Sequence, residues 1–278
     1  MEKSFNNTEL IQGVGISARP LHFSNLLEKK EFPWLECLAD NYLHQGSVSR
    51  QNIRKLSEIY PLVFHCVGMS LASSDDFNWD YMKSLKSLVT ELSPKWISDH
   101  LCFSSFKGNH YHDLIPIPYT MENAAFVAGK ITTIQDFFEL PFLLENVSNY
   151  IAYSASNMEE VDFLNEIAAR SGCQLLLDVN NIFVNSINHK FDPFAFIDRM
   201  NLSVVGQIHL AGYKDMGDYL VDTHSHPVHE EVLKLYKYTI EKASKPVPTC
   251  LEWDTNIPSF NDFAAEHLKI KRVYDASA

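Results

Sequence analysis

Six histidine, aspartate and glutamate residues follow one another at the ends of short apolar segments, and their spacing is the strongest constraint on the fold. Consecutive members are separated by 35, 45, 33, 31 and 43 residues, about one strand and one helix each time. In a barrel of parallel strands, residues at the carboxyl ends of the strands converge on one mouth. Side chains spread over most of the chain would therefore meet in one site. The six residues are His65, His100, Glu145, Asp178, His209 and Glu252.

Eight apolar segments of strand length alternate with longer stretches of helical periodicity. This alternation predicts a parallel α/β sheet, and eight repeats within 278 residues favour a closed (β/α)8 TIM barrel forming a single domain over residues 1–278. No GxGxxG or Walker loop follows the first segment, which weakens a nucleotide-binding alternative. The predicted strands are residues 13–16, 34–38, 62–67, 96–99, 142–147, 174–179, 204–210 and 248–253.

The segments between the strands contain six predicted helices and one long loop. Residues 102–119 exceed the usual length of a connection, so we expect a lid or a binding loop there. Ser171 and Gly172 form a plausible helix stop, and Asp192 is a plausible N-cap. The predicted helices are residues 78–92, 120–138, 158–170, 194–200, 229–243 and 259–270.

Composition excludes several classes of protein. The formal net charge of −12 argues against a nucleic-acid groove, because phosphate binding needs clustered basic residues. No apolar run approaches the roughly 20 residues of a membrane span, and the first ten residues lack a signal-peptide core. The five cysteines are scattered without CxxC spacing, which indicates reduced thiols and a cytoplasmic location. Cys66 and Cys102 lie near ligand candidates, but we expect them to be small buried hydrophobic residues.

Imidazole and carboxylate ligands without cysteine suit a non-haem iron, manganese or zinc cluster. Glu145 is central in the series and has two oxygens, so it is the candidate bridge between a first metal at His65 and His100 and a second metal. Asp178, His209 and Glu252 would complete that second metal. The same six residues are therefore the predicted catalytic residues.

A third metal is possible near the second. Asp222 and His224 are two residues apart, so they can bind one metal together, with His226 nearby. Asn180 lies two residues past Asp178, and both side chains would point to one face if the chain stayed extended.

Each of these residues also has a structural explanation. A lone histidine at a strand end is more often hydrogen-bonded in the core, an acidic residue there can cap a helix, and Asn180 can serve a turn. The metal site is favoured because six ionisable groups converging on one mouth would be costly to bury without a partner.

Three further residues are candidates for contact with substrate. His110 and His112 alternate in the long loop and could bind substrate or remain exposed to solvent. Arg19 ends the first strand and could pair with a carboxylate of the substrate or form a surface salt bridge. His226 is a fourth candidate on the substrate side.

An ordered series of motifs resembles the multinuclear non-haem iron-dependent oxidase family over about residues 13–258. The resemblance implies a xylose-isomerase-like barrel that holds two or three iron ions. Their ligands would be the nine predicted ones, with Asn181 as an alternative to Asn180 and with His226 as an addition. It further implies oxidation of a residue, commonly cysteine, in a ribosomally made precursor peptide, with dioxygen as co-substrate and a partner protein presenting the peptide. The motifs are GVGISARP, WLECLADNY, SDHLCFS, HDLIPIPYT, LENVSNY, LLDVNNIFVNSINH, QIHLAGY, DTHSHPV and LEWDTNIP.

The chain departs from the commoner form of that family at two places near the mouth. Residues 16–20 read Ile-Ser-Ala-Arg-Pro where Gly-Leu-Arg-Pro is expected, and Cys37 and Leu38 stand where a Val-His pair is frequent. These differences bear on the identity of the substrate more than on metal binding.

Two competing functions stay open from the sequence. The first is a divalent-metal-dependent sugar isomerase or phosphodiester hydrolase on the same barrel, since fold alone does not separate these chemistries. The second is a non-catalytic metal-binding or peptide-presenting module, which would bind metal without consuming oxygen.

Overall fold

Eight parallel strands close into a barrel in the computed structural model, which describes residues 11–277. The order around the barrel is β1-β12-β9-β8-β7-β4-β3-β2, with β1 paired to both β12 and β2. The predicted TIM barrel is confirmed. The strands are β1 Val14–Ser17, β2 Leu35–Leu38, β3 Leu62–His65, β4 Ile97–His100, β5 Phe103–Phe106, β6 Asn109–Ile115, β7 Phe142–Glu145, β8 Gln174–Asp178, β9 Val205–Leu210, β10 Tyr213–Asp215, β11 Leu220–Asp222 and β12 Thr249–Leu251.

Helices cover the outside of the barrel, and local signals fix several of their ends. Asn78 and Thr120 cap the helices that follow them by accepting hydrogen bonds from the backbone, and Gly172 ends another helix with a φ of +69°. Asp192 caps its helix as predicted. The helices are α1 Phe23–Glu28, α2 Val48–Ser57, α3 Trp79–Leu92, α4 Met121–Phe138, α5 Glu160–Ser171, α6 Val179–His189, α7 Pro193–Arg199, α8 Glu230–Lys242 and α9 Phe260–Ser277.

Two antiparallel hairpins stand outside the barrel sheet. Strands β5 and β6 lie within the segment predicted as a long loop, and β10 and β11 connect β9 to the 223–229 segment. Both follow barrel strands at their carboxyl ends, so the hairpins extend the rim on the side of the predicted site.

The interior of the barrel changes from apolar to polar along its axis. A cluster of Ile11, Trp34, Val63 and Cys250 fills the end where the strands begin. Above it the inward-facing side chains are polar, and all of them are almost completely buried. Burial of polar groups is costly unless each has a partner, so this layer marks a functional region.

The first ten residues, for which the sequence predicts no signal peptide, lie outside the described part of the chain. Within residues 11–277, no helix is both long and apolar enough to cross a membrane. The five cysteines are all buried and free of disulfides, as expected for small hydrophobic side chains.

Candidate metal centre

The six predicted ligands lie at one end of the barrel because each stands at or next to the carboxyl end of a barrel strand. In the strand register, His100 pairs with Glu145 and Asp178 pairs with His209. The other neighbouring ligands are offset by two residues, since His65 pairs with Ser98, Glu145 with Leu176 and His209 with Cys250. All six residues are at most 8% exposed. Four of them, His65, His100, Glu145 and Asp178, are the last residues of their strands. His209 is the second residue from the end of β9, and Glu252 directly follows β12.

The first group joins His65, His100 and Glu145. The Nε2 atoms of the two histidines are 3.2 Å apart, and each is 3.3 Å from Oε2 of Glu145. Ligands about 2.1 Å from one ion lie roughly 3.0–3.4 Å apart, so this triangle has the size of a metal site. The outer nitrogens face Ser98 Oγ at 2.9 Å and Asp99 Oδ1 at 3.3 Å, which orients both rings.

A second group shares Glu145 with the first. Oε1 of Glu145 lies 3.3 Å from Nδ1 of His209, which is also 2.9 Å from Oε2 of Glu252. Asp178 belongs to the same group, since one ligand atom from each of the four residues lies within 4.8 Å of the others. Glu145 therefore presents one oxygen to each group, as a bridging carboxylate would.

A third group lies at the rim beside Glu252. Nε2 of His224 is 2.7 Å from Oδ1 of Asp222, and its Nδ1 is 3.3 Å from Glu252 and 3.2 Å from Asp254. Asn180 Nδ2 donates to the same Asp222 oxygen at 2.9 Å. These contacts gather Asn180, Asp222 and His224 and add Asp254, whereas His226, which was also predicted near a third metal, is not among them.

The reason given for placing Asn180 in the site is wrong. The chain does not stay extended after Asp178, because Asp178 caps α6 by accepting a hydrogen bond from Asn181 N at 2.7 Å. Asn180 is in the first turn of that helix and is fully buried. The helical turn, rather than strand alternation, brings its amide to Asp222.

Buried polar atoms without a hydrogen-bond partner indicate whether these residues fit a metal ion. Within residues 11–277, several buried nitrogens and oxygens of these groups lack a hydrogen bond, and two of them, Asp178 Oδ2 and His224 Nε2, lie 3.8 Å apart. An unpaired buried polar atom costs about 1–3 kcal/mol. Cations placed between these atoms would satisfy them, so the donor set fits metal binding. The atoms are Glu145 Oε2, Asp178 Oδ2, Asn180 Oδ1, His209 Nδ1, and both ring nitrogens of His224.

The pKa shifts of the site residues also indicate that this carboxylate cluster needs positive charge nearby. Burial raises the pKa of Asp178 well above its usual range. Burial opposes a charge on His209 and on His100, but neighbouring carboxylates raise the pKa of both, that of His100 to about 9. Burial, against the opposing effect of Glu145 and with a contribution from the neighbouring His100, lowers the pKa of His65 to about 3. Without metal, protons on the histidines must balance the carboxylates, a role that bound cations would take over.

Glu36 is a partner of the site that the sequence analysis missed. It lies on β2, is 2% exposed, and both its oxygens are 2.9 Å from Nε2 of His209. Gln207 Nε2 also donates to Glu36 at 2.5 Å, while Trp96 Nε1 donates to Gln207 at 2.7 Å. The carboxylate fixes the His209 ring so that Nδ1 faces Glu145. A charged residue inside the apolar segment WLECL was the available signal.

The four residues predicted to contact substrate do not lie together in the structure. Arg19 lines the mouth, forms an ion pair with Asp254 and lies 3.6 Å from Glu252. His110 and His112 are exposed on β6 and do not line the mouth. His226 also lies outside the mouth, with its Nδ1 2.7 Å from Ser225 Oγ. Only Arg19 is brought to the metal-binding residues.

The mouth opens to solvent through a cavity of about 550 Å³. Leu38, Leu114 and Thr255 form part of its wall above the histidines and carboxylates. Leu114 belongs to β6, so the predicted lid segment does reach the site, through this residue rather than through its histidines. The cavity has the size of sites that bind small molecules or a peptide side chain.

Gly212 sets the path of the segment that carries His224. A Cβ at this position would lie 2.2 Å from the carbonyl oxygen of His226 and 2.5 Å from that of Pro227. We expect Gly212→Ala to lower the free energy of unfolding by about 1–3 kcal/mol and to weaken metal binding at His224, since backbone atoms must move. Gly129→Ala, where the added methyl meets nothing within 4 Å on α4, should leave stability equal or higher. Urea unfolding of both variants would measure this, and equal stability of the two would refute the packing argument.

The fold and the site define a class of protein, namely a TIM barrel with a buried cluster of histidines and carboxylates at its mouth. Solved structures share the fold at low identity. Endonuclease IV from Thermus thermophilus superimposes with a TM-score of 0.61 at 15% identity, covering 96% of this chain and 100% of that chain. A xylose isomerase domain-containing protein from Salmonella typhimurium gives 0.61 at 15% identity, with 98% of each chain covered. The barrel is therefore xylose-isomerase-like.

The chain belongs to the family described as RiPP precursor modification enzyme MbnB/TglH/ChrH, whose model matches residues 13–275. It is 40% identical over 257 residues to a UPF0276 protein of Acaryochloris marina, covering 92% of both chains. A UPF0276 protein of Caulobacter vibrioides is 39% identical over 256 residues, covering 91% of both. Enzymes of this family act on the precursors of ribosomally synthesised and post-translationally modified peptides.

Proposed function

We propose that this protein is a multinuclear, iron- and dioxygen-dependent oxidase that modifies a residue, most simply a cysteine, of a ribosomally synthesised precursor peptide. The observation that carries the proposal is Glu145, whose two oxygens face two separate groups of ligands. Membership of a peptide-modifying family supplies the substrate class. Imidazole and carboxylate ligands without thiolate suit iron, manganese or zinc, and the metal would be iron because the proposed oxidation by dioxygen needs a redox-active ion.

The ligands would be divided among two or three iron ions. His65, His100 and Glu145 would hold the first. The second would be held by Glu145 together with Asp178, His209 and Glu252. When bound, the ions would supply positions for a substrate thiolate and for dioxygen, together with one-electron chemistry.

The remaining task of the chain is to position the substrate and to limit access of water. The deep, almost fully buried ligands leave one approach, through the cavity lined by Leu38 and Leu114. Arg19 holds Asp254 beside His224 and presents a positive charge at the rim, where a peptide carboxylate or carbonyl would pass. A separate protein presenting the precursor peptide, and a cytoplasmic location, complete the proposal.

A third metal at Asp222 and His224 is tested by one substitution. Asp222→Ala is expected to remove one metal ion per chain, because the carboxylate that contacts His224 is lost, while the barrel stays folded. Asp218→Ala, an exposed change in the same hairpin, is the matched control. Metal content measured by plasma mass spectrometry decides the point, and an unchanged ratio in Asp222→Ala would exclude this residue as a ligand.

The peptide chemistry is tested by co-expression with cysteine-containing peptides encoded beside the gene. We expect a change of mass localised to one residue of one peptide, and oxygen uptake when that reaction is repeated with purified iron-loaded protein. Zinc- or manganese-dependent turnover of sugars or phosphodiesters without oxygen uptake would instead favour the isomerase or hydrolase. Metal binding without any turnover would favour a peptide-presenting module.

A further inference from the structure

A second cavity, of about 340 Å³, lies beside the mouth and outside the metal-binding groups. The two cavities are lined in part by neighbouring residues of the same segments of chain. Leu114 and Ser148 line the mouth, whereas Pro116 and Asn149, two and one residues further along, line the second cavity. The two cavities therefore adjoin along these segments, so a peptide with one residue in the mouth would have a neighbouring residue near the second cavity.

The walls of this cavity are largely aromatic and aliphatic. They include Ile117, Tyr119, Tyr153, Phe191 and Phe196. Phe191 and Phe196 stack on each other with centroids 5.9 Å apart. Such a surface takes an apolar side chain or the methylene stem of a longer one, and its ring faces attract a cation.

One polar atom of the cavity lacks a partner. Glu160, the first residue of α5, accepts a hydrogen bond from Asn185 Nδ2 at 3.4 Å through Oε2. Its Oε1 is fully buried and makes no hydrogen bond within the described residues, although the residue as a whole is only half-buried. An unmet carboxyl oxygen at an apolar wall marks where a donor group of a ligand would bind.

The neighbouring polar groups are already used within the protein. Tyr153 donates its hydroxyl hydrogen to the carbonyl of Pro116 at 3.0 Å, and Ser156 Oγ accepts from the backbone N–H of Tyr119 at 3.0 Å. These bonds leave Glu160 to determine which polar group the cavity accepts.

The charges around the cavity favour a cation. Arg199 is a basic side chain of the lining, but its guanidinium is paired with Glu159 and Asp162. Asp192 adds another carboxylate to the wall, and the whole chain carries a net charge of −12. A negatively charged ligand would meet no free positive group among these side chains.

We propose that this cavity binds a lysine side chain of the precursor peptide, with its ammonium group at Glu160 Oε1 and its methylene stem along the aromatic wall. The proposal rests on the peptide substrate of the proposed function. A single free oxygen suits the point charge of an ammonium better than the two-pronged guanidinium of arginine, which prefers both carboxylate oxygens. Binding here would fix which neighbouring residue of the peptide reaches the metal-binding mouth.

The first test uses small probes that need neither metal nor dioxygen. N-acetyl-lysine methylamide and N-acetyl-norleucine methylamide would be titrated into the full-length protein and followed by NMR. At pH 9, where Glu160 with its pKa of about 8 is ionised and the lysine ammonium is still charged, we expect the lysine probe to bind at least about tenfold more tightly, because burial strengthens a charge-assisted hydrogen bond. Glu160→Gln should abolish this preference, whereas Glu166→Gln on the same helix should retain it.

The outcomes separate this proposal from the oxidase proposal. Equal binding of the two probes, or a lysine preference that survives in Glu160→Gln, would overturn the lysine site and leave the metal chemistry untouched. A lysine preference in a protein that binds no iron would keep this site and refute the oxidase.

Thermal unfolding checks that Glu160→Gln acts through the carboxyl group. Burial raises the pKa of Glu160 to about 8, with the Asn185 hydrogen bond lowering it in part. The folded protein therefore holds a proton that the unfolded chain releases above about pH 4, so stability falls as pH rises from about 4 to 8. Glu160→Gln should melt at or above the wild-type temperature at pH 8, and a lower melting temperature there would show a structural role and overturn the site. The other titratable or charged groups of the lining are Tyr119, Tyr153, Glu159, His189, Asp192 and Arg199.

Discussion

Replacing Glu145 with Gln is expected to remove two metal ions from the protein in one step. Oε2 of Glu145 faces His65 and His100, and Oε1 faces His209. Glutamine has one oxygen, and its amide nitrogen is a hydrogen-bond donor that does not bind a cation. Loss of partners that only orient ligands costs 10–100-fold in affinity or activity, so loss of a shared ligand should cost turnover at least about 100-fold.

Metal analysis and peptide turnover would be measured on Glu145→Gln beside Glu58→Gln, an exposed change on the outer surface. The surface variant should keep the full metal content. If Glu145→Gln lost a single ion and kept the other, the carboxylate would not be a bridge. Circular dichroism would establish that the barrel remains folded, since the isosteric change leaves the shape of the interior intact.

Replacing Glu36 with Gln is expected to weaken metal binding at His209 by about 10–100-fold while leaving the His65 and His100 position loaded. His209 and Gln207 both donate toward Glu36, and an amide offers only one acceptor oxygen to these two donors. The loss of negative charge also makes the His209 ring a weaker ligand.

A titration with ferrous iron, read by Mössbauer spectroscopy, would resolve the two positions in Glu36→Gln. The expected spectrum loses the signal of one iron at low metal concentration and regains it at high concentration. Unchanged binding at both positions would mean that Glu36 only fills the interior. Glu58→Gln again serves as the control for a removed surface charge.

The positions of the predicted metal ligands could be inferred from the sequence because they depend on strand ends. Once eight segments alternate with helices, parallel pairing brings the strand ends that carry His65, His100 and Glu145 to the same end of the barrel, whatever the details of packing. The carboxylate at Glu36 depends instead on which strands become neighbours across the barrel interior. Its contact with His209 joins residues 173 positions apart, a distance that local pattern does not encode.

Three helices escaped the sequence analysis for physical reasons. Helix α1, Phe23–Glu28, is only six residues long, which is too short for a clear helical period. The segment of α6, Val179–His189, contains four asparagines and several β-branched residues, which have low helix propensity. Its cap at Asp178 and its packing against α8 stabilise it in the fold. Helix α2, Val48–Ser57, is mostly polar, so its apolar stripe is narrow. The segment predicted as a long loop became a hairpin because the exposed strand β6 has little hydrophobic pattern to reveal it.

The central claim is tested most directly by iron analysis and Mössbauer spectroscopy of protein purified without oxygen. We expect two or three iron ions per chain, with at least two magnetically coupled through Glu145, and a spectral change when air is admitted. Protein that holds only zinc or manganese, and that shows no oxygen-reactive iron after reconstitution with ferrous iron, would contradict the account.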